Sequence, residues 1–519
     1  MNRIHKKSAL GQTTPLILAA HDRGESLLWG RYEEQVPLCA FTANGLNCRK
    51  CFHGPCRINP FGDQPTRGVC GADRDQIVME NLFQATLEGV LESARTISSL
   101  DESLLDQEFP GLDSDFPHQT RKTLTNHGIL PVRKIQILAV QNSYFSHKGY
   151  LTKTLKDLTR MGLIHYGLLK GLGKYVSSSG PAESRYDPAR ANVLIVGQPP
   201  AKHISAFRKR IQEGEQGQKI NLWLQGIRNL PAFPSIADHG SPEMALAMNL
   251  DALIIYPGAH LPSLEDLAKK WEIPVLLGEE DKGIEWIAGQ ALALALDHQK
   301  KKGRLDSSRI PQSQPLRASI FDRVRDVQEA LSTGQIEGIL AIWAEPNVKQ
   351  TFFERTLTLM ENALEEKFLV FLGGEAGAQL NLLDEELGRR MERKPANLPG
   401  AGISFLNTLR SQGEISEIVA FLRNLNPEKE FNEMPVVVSF PELSRTFTWA
   451  LAVSFLSLGF TVQLGTQLPF WGSPSLSEVL LKEWPRISGG ILLASPSVPD
   501  GQTQAQEIRS YIKSRRFAK

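Results

Sequence analysis

Four of the five cysteines in this chain, Cys48, Cys51, Cys56 and Cys70, fall in one short segment with the spacing C-x2-C-x4-C-x13-C, and the fifth, Cys39, lies just upstream. No cysteine follows residue 70 in a chain of 519 residues. The distribution allows one four-thiolate centre near the N-terminus and leaves the remainder without sulfur ligands for a second. Clustered, odd-numbered cysteines in a long chain favour metal binding over a disulfide framework.

The length exceeds what one hydrophobic core supports, so two to four domains are expected. Lys and Arg total 58 against 57 Asp and Glu, which argues against a general attraction to nucleic acid or an anionic membrane. The longest apolar runs, such as Ala291 to Leu296, are too short to span a bilayer. Lys6 and Lys7 precede an apolar patch, Leu16 to Ala20, that is shorter than a secretory h-region. A soluble, cytoplasmic protein is therefore expected.

Residues 1–190 lack regular strand patterns. Gln76 to Leu100 and Tyr150 to Leu172 read as amphipathic helices, and Ser177 to Arg190 reads as a polar linker. The rhythm then changes. Asn192 to Val196, Ile220 to Leu224, Ala252 to Tyr256 and Pro274 to Leu277 are short apolar runs, with a helical stretch at Ala201 to Glu213. Residues 299–316 read as a loop. A second set follows: strands at Gly338 to Trp343, Phe368 to Leu372, Pro435 to Ser439, Thr461 to Leu464 and Gly490 to Ala494, and a helix at Val348 to Lys367. Short apolar strands alternating with helices predict parallel, doubly wound sheets. The expectation is a multidomain α/β protein: a helical domain over 1–190 followed by two Rossmann-like domains over 191–330 and 331–519.

The segment between Cys56 and Cys70 holds Pro60, Gly62, Pro65 and Gly68, so it can fold back and present four thiolates to one small core. Gly54-Pro55, Gly68 and Gly71 are expected to bring backbone amides close to the ligands. On spacing alone a cubane iron–sulfur cluster and a structural zinc ion fit equally. His53, between two of the cysteines, covers or tunes such a site rather than completing it. Gly373-Gly374-Glu375-Ala376-Gly377 lacks the Lys-Ser/Thr of a phosphate loop and reads as a tight strand-to-helix turn. Trp449, Trp471 and Trp484 read as core or interface aromatics, and Lys513 to Lys519 as a solvated helix end.

The flanks of the cysteines carry a resemblance. Asp22-Arg23, Trp29 through Gln35, Cys39, Asn47-Cys48-Arg49-Lys50-Cys51, Gly54-Pro55-Cys56-Arg57-Ile58, Pro60-Phe61-Gly62 and Gly68-Val69-Cys70-Gly71-Ala72 closely resemble the N-terminus of the anaerobic nickel–iron carbon monoxide dehydrogenase catalytic subunit family. Val348-Lys349-Gln350, Pro441-Glu442, Leu464-Gly465, Leu468-Pro469 and Gly472-Ser473-Pro474 look like later signatures of that family. The resemblance implies that Cys48, Cys51, Cys56 and Cys70 hold a [4Fe–4S] relay cluster. It also implies a homodimer, in which the equivalent of Cys39 and a cysteine at the position of Asn47 share a bridging cluster. With Asn47 in that place, a four-thiolate bridging cluster is not expected.

The family's nickel site needs one His and five further Cys. Matched by flanking motif, Gln198 stands for the His, a residue near Gln225 or Gly226 for the first Cys, and Ala259, Trp343, Gly374 and Gly402 for the others. Thr446 stands for the catalytic Lys and Ser93 for a proton-handling His. The resemblance therefore implies a relay-cluster protein that does not assemble nickel, moving single electrons or holding a redox partner rather than oxidising CO. Two alternatives remain at this point: reduction of another small substrate in the remodelled interdomain pocket, where His260 and Glu375 would face, or a structural or regulatory subunit.

Overall fold

The computed structural model describes residues 7–517 apart from 12, 101–111, 133–150, 177–188, 198–202, 204–205, 208, 210–218, 226–249, 257–261, 279–282, 302–319, 393–405, 409–414, 467–470 and 495–499. Most of the helical stretch expected at Ala201 to Glu213, where the described His203, Ala206, Phe207 and Lys209 are helical, most of the linker at Ser177 to Arg190 and most of the loop over 299–316 lie outside the described residues.

The only strands described before residue 190 are β1 (Asn47–Cys48) and β2 (Cys56–Arg57), two residues each and antiparallel. The next four, β3 (Ala191–Val196), β4 (Ile220–Gln225), β5 (Leu250–Ile255) and β6 (Val275–Leu277), form a parallel sheet in the order β4-β3-β5-β6. The last six, β7 (Gly338–Ala344), β8 (Phe368–Gly373), β9 (Leu406–Thr408), β10 (Val436–Phe440), β11 (Thr461–Leu464) and β12 (Ile491–Leu493), form a second parallel sheet in the order β12-β11-β10-β7-β8-β9. Both orders reverse direction between two central strands, which is the doubly wound arrangement expected from the sequence.

Alternation along the strands assigns the faces. In the first sheet Leu194, Val196 and Leu253 pack with Leu264 and Leu267 of the helix Pro262–Lys270. Val193, Ile195 and Ile254 pack with Ile287, Ala291 and Leu292 of the helix Ile284–Lys301 on the other side. In the second sheet Leu340, Ile342 and Val437 meet Met360 of the helix Glu354–Glu365 and Ile508 and Ile512 of the helix Gly501–Phe517. Ile339, Ala341, Trp343, Val436 and Val438 face the opposite layer.

That opposite layer joins the two ends of the chain. The helix Thr446–Ser457 is buried at every position from Phe447 to Ser457, because the sheet lies on one side and the helices Arg74–Leu100 and Leu151–Val176 on the other. Two glycines permit the approach: a Cβ at Gly89 would overlap Thr446 O, and one at Gly162 would overlap Ser457 Oγ and sit 2.7 Å from Val453 O. Polar bonds cross the same seams. Trp449 Nε1 donates to Thr86 Oγ1 at 2.8 Å, and Trp484 Nε1 to Thr159 Oγ1 at 3.2 Å. Trp449 and Trp484 are therefore core aromatics whose N–H groups are satisfied.

One element begins later than its sequence pattern. The helix expected from Val348 starts at Glu354, because Phe353 takes a left-handed conformation (φ 63°) and a distant carboxylate caps the turn. Glu442, wholly buried after β10, accepts from Phe353 N at 3.1 Å and from Thr356 Oγ1 at 3.3 Å. The Pro441-Glu442 and Val348-Lys349-Gln350 signatures thus lie either side of one capped helix start. Lost hydration pushes the Glu442 carboxyl up to about 7, against the opposing pull of those donors and of Arg355.

Candidate metal centre

The four clustered cysteines occupy a hairpin and the loop that returns to it. Cys48 and Cys56 are cross-strand partners in β1 and β2. Cys51 lies in the connecting turn, which Gly54 N closes onto Cys51 O at 3.2 Å. The segment after β2 turns back through Asn59 N to Pro65 O at 3.0 Å, and Gly68 N donates to Ala72 O at 2.8 Å. This fold-back places Val69 N 3.4 Å from Cys56 Sγ. The amides of Gly54, Gly68 and Gly71 bond to carbonyl oxygens instead. The glycine amides expected near the ligands therefore shape the loop, and the hydrogen bond to sulfur comes from Val69.

The helix Arg74–Leu100 anchors this assembly. Its start is closed reciprocally, Gln76 N donating to Asp73 Oδ1 and Asp73 N to Gln76 Oε1, both at 3.0 Å. Two turns on, Asn81 Nδ2 donates to both Gly45 O and Asn47 O at 2.9 Å, clamping the strand that carries Cys48. Lys50 pairs with Glu80 at 2.9 Å. Asn81 and Glu80 were not singled out in the sequence; the signal available was only their position early in the helix after the last cysteine.

Burial is the main cause that pushes the Cys48 thiol up, opposed by a Lys50 backbone bond and reinforced by Glu80, Cys56 and Cys70. Those thiols are close enough to repel one another when ionised, and a bound cation reverses that penalty. All five cysteines are free, and Cys39, Cys51 and Cys70 are exposed. Among the described residues no three His, Cys, Asp or Glu side chains converge tightly enough to hold one metal ion. Cys39 stands apart at the start of the short helix Ala40–Ala43, where Thr42 and neighbouring amides pull its thiol down. Asn47 Nδ2 donates to the same Thr42 hydroxyl at 3.0 Å.

Of the residues matched to the nickel site and its acid–base partners, Ser93, Trp343, Gly374 and Thr446 are described, whereas Gln198, Ala259 and Gly402 lie outside the described residues, as does His260, expected to face the pocket. Gln225 closes β4. Trp343 and Gly374 do meet. The indole of Trp343 covers the Gly373-Gly374 turn, its Nε1 only 2.9 Å from where a Cβ of Gly374 would stand, and a side chain on Gly373 would overlap the ring. Gly374 (φ 68°) opens the five-residue helix Gly374–Ala378, the tight strand-to-helix turn expected there. Thr446 begins the buried helix against Gly89, one turn from Ser93. Ser93 Oγ lies 2.8 Å from Nε2 of His165, whose Nδ1 lies 2.9 Å from Ser454 Oγ. Burial drives the His165 imidazolium down to about 3, so the ring is neutral.

Two parallel, doubly wound sheets joined by a helical layer that carries a surface cysteine hairpin define the class of this protein. Residues 46–160 match the model of the Prismane/CO dehydrogenase family. It is 47% identical over 76 residues to the carbon monoxide dehydrogenase of Rhodospirillum rubrum, a match spanning 15% of this chain and 12% of that enzyme. It is 22% identical to the carbon monoxide dehydrogenase of Methanopyrus kandleri over 88% of this chain and 89% of that one. Its fold matches a nickel-free crystal structure of carbon monoxide dehydrogenase from Thermococcus sp. AM4, produced without the CooC maturase, with a TM-score of 0.79 over 99% of this chain and 97% of that one at 20% identity. The high identity is thus concentrated in a short segment, while the similarity of fold runs the whole length.

Proposed function

We propose that this protein is a carbon monoxide dehydrogenase-like iron–sulfur protein that holds one [4Fe–4S] cluster on Cys48, Cys51, Cys56 and Cys70 and moves single electrons without assembling a nickel centre. The observation that carries the reading is the indole of Trp343 lying on Gly373-Gly374: two positions matched to nickel-site cysteines are adjacent, and one fills the space beside the other. With no cysteine after residue 70, the carboxyl edge of the second sheet lacks the thiolates such a centre requires.

The cysteine hairpin suits a cluster. A single tetrahedral ion with metal–sulfur distances of about 2.3 Å draws its sulfurs to roughly 3.8 Å apart, whereas a cubane spreads them over a core of several atoms. Cys48, Cys56 and Cys70 lie near enough to interact electrostatically, and among the described residues no three ligands converge on a single-ion site. When bound, the cluster supplies one-electron exchange. The chain's part is to hold four thiolates on a fold-back loop, to donate the Val69 amide to Cys56 Sγ, and to fix β1 through Asn81.

Exposed apolar side chains on either side of the hairpin, Val36, Leu38, Phe52, Phe61 and Val69, support a second copy of the chain covering this face. In such a homodimer Cys39 is the one thiol each copy brings beyond the four, and Asn47 is already bonded to Thr42, so a bridging cluster is not part of the proposal. A redox protein is the expected partner, and the cytoplasm the expected compartment. Among the described residues no helix is long and apolar enough to cross a membrane.

Anaerobic purification with metal and sulfide analysis tests the reading. It expects about four iron and four sulfide per chain, lost in Cys51→Ser, and a reducible spin-resonance signal. One zinc per chain with no iron, or nickel with CO-dependent viologen reduction, would defeat it.

A further inference from the structure

Near the carboxyl end of β11, far along the sequence from the cysteines, several polar side chains are buried without partners. Gln504, in the first turn of the 501–517 helix, is fully buried, and neither its amide oxygen nor its amide nitrogen makes a hydrogen bond among the described residues. Its Nε2 lies over Gly465, where any side chain would overlap it. Gln463 shares that face of β11, since side chains alternate along a strand. Its Oε1 accepts from Ser439 at 2.6 Å, and its Nε2 is unpaired. The hydroxyl of Thr466, next after Gly465, is buried and unpaired as well. A buried amide with both ends unmade is costly, and groups left so are usually met by a ligand or ordered water.

One cation stands beside these groups. Arg355, in the first turn of the 354–365 helix, donates to Gly465 O and is half-buried, where lost hydration weakens its hold on the proton. The first turn of the 501–517 helix packs against the second and third turns of the 354–365 helix, a Cβ on Gly501 standing 3.1 Å from Thr358 and Asn362 Nδ2 donating to Gln502 Oε1 at 3.3 Å, so the positive end of the 501–517 helix, with Gln504 in its first turn, lies near Gly465. Two carboxylates lie nearby. Glu442 has its oxygens on Phe353 N and Thr356 Oγ1, and Asp500 has Oδ1 on Thr503 N at 2.7 Å. Both are turned to helix caps.

We propose that Gln504, Gln463, Thr466 and Arg355 form a site for a small hydroxylated carboxylate at the carboxyl end of β11. The Gln504 Nε2, Gln463 Nε2 and Thr466 hydroxyl donate to the carboxylate, the Arg355 guanidinium balances its charge, and Gln504 Oε1 accepts from the ligand hydroxyl. A ligand with only acceptors leaves Gln504 Oε1 unmade, which is why the hydroxyl belongs to the class.

Glycolate, with acetate as the counterpart lacking the hydroxyl, tests the site by calorimetric titration of the full-length protein. Glycolate is expected to bind at least tenfold more tightly than acetate. Gln504→Leu, which keeps the bulk and removes the amide, is expected to abolish binding while leaving the melting temperature equal or higher, and Thr466→Val to weaken binding several-fold. A crystal structure grown in glycolate is expected to show it against Gln504. Ordered water alone at that position under saturating glycolate, or undiminished affinity in Gln504→Leu, would overturn the proposal.

Discussion

The backbone amide of Val69 points at the sulfur of Cys56, thirteen residues earlier, at 3.4 Å. The contact exists because the loop between them closes twice on itself, through Asn59 N to Pro65 O and Gly68 N to Ala72 O. An amide aimed at a thiolate stabilises the more negative state of whatever the thiolate binds.

Val69→Pro removes that donor and nothing else of the ligand set. The reduction midpoint of the reconstituted protein should move to more negative potential with iron content unchanged, read by a redox titration followed by spin resonance. An unshifted midpoint would show that the amide has no electronic role.

Asn81 holds two carbonyls of the strand leading into Cys48. Asn81→Leu leaves both without this donor, at a cost of about 1–3 kcal/mol. Urea unfolding should report that loss, and iron should pass to a chelator faster than from the wild-type protein.

Gly89 and Gly162 lie where helices touch backbone to backbone. Gly89→Ala or Gly162→Ala must push the 446–457 helix away from its neighbours, costing about 1–3 kcal/mol. Both should lower the melting temperature, whereas Gly171→Ala, where a Cβ would meet nothing, should not.

Glu442 is pushed up to about 7 from 4.5 on folding, so the folded state holds its proton more tightly than the unfolded one. Its contribution is complete below pH 4.5 and is lost as pH rises through 7, a change on the order of 3 kcal/mol. Glu442→Gln should flatten that part of a denaturation-versus-pH profile. An unchanged slope between pH 5 and 7 would refute the assignment.

His165 has the opposite sign. Its folded value of about 3 lies below the ordinary 6.5, so stability is lost as pH falls below 6.5, with a slope of up to about 1.4 kcal/mol per pH unit. Ser454 Oγ donates to Ala450 O at 2.9 Å, so Nδ1 of the neutral ring donates to Ser454, and Nε2 accepts from Ser93, for which it is a nearer acceptor at 2.8 Å than Gly89 O at 3.3 Å. His165→Gln should be less stable at neutral pH and should lose the acid-limb slope.

The sequence by itself determined the elements and the chemistry that depends on residue type. Alternating short apolar runs specified parallel strands because both faces of such a sheet are buried, and β11 spans the run read for it, Thr461–Leu464. The cysteine count limited sulfur ligation to one end of the chain, since ligand chemistry needs no coordinates to be counted. Tertiary structure decided what depends on distance. Phe353 is left-handed and its helix late because Glu442, 89 positions away, caps it. Val69 rather than a glycine serves the sulfur because of where the loop closes. His165 is neutral because burial strips its hydration, among helices far apart in the chain that bring Ser93 and Ser454 to its two nitrogens. Desolvation and hydrogen bonding act over a few ångströms of space, and spacing along a chain does not record which distant residues will occupy them.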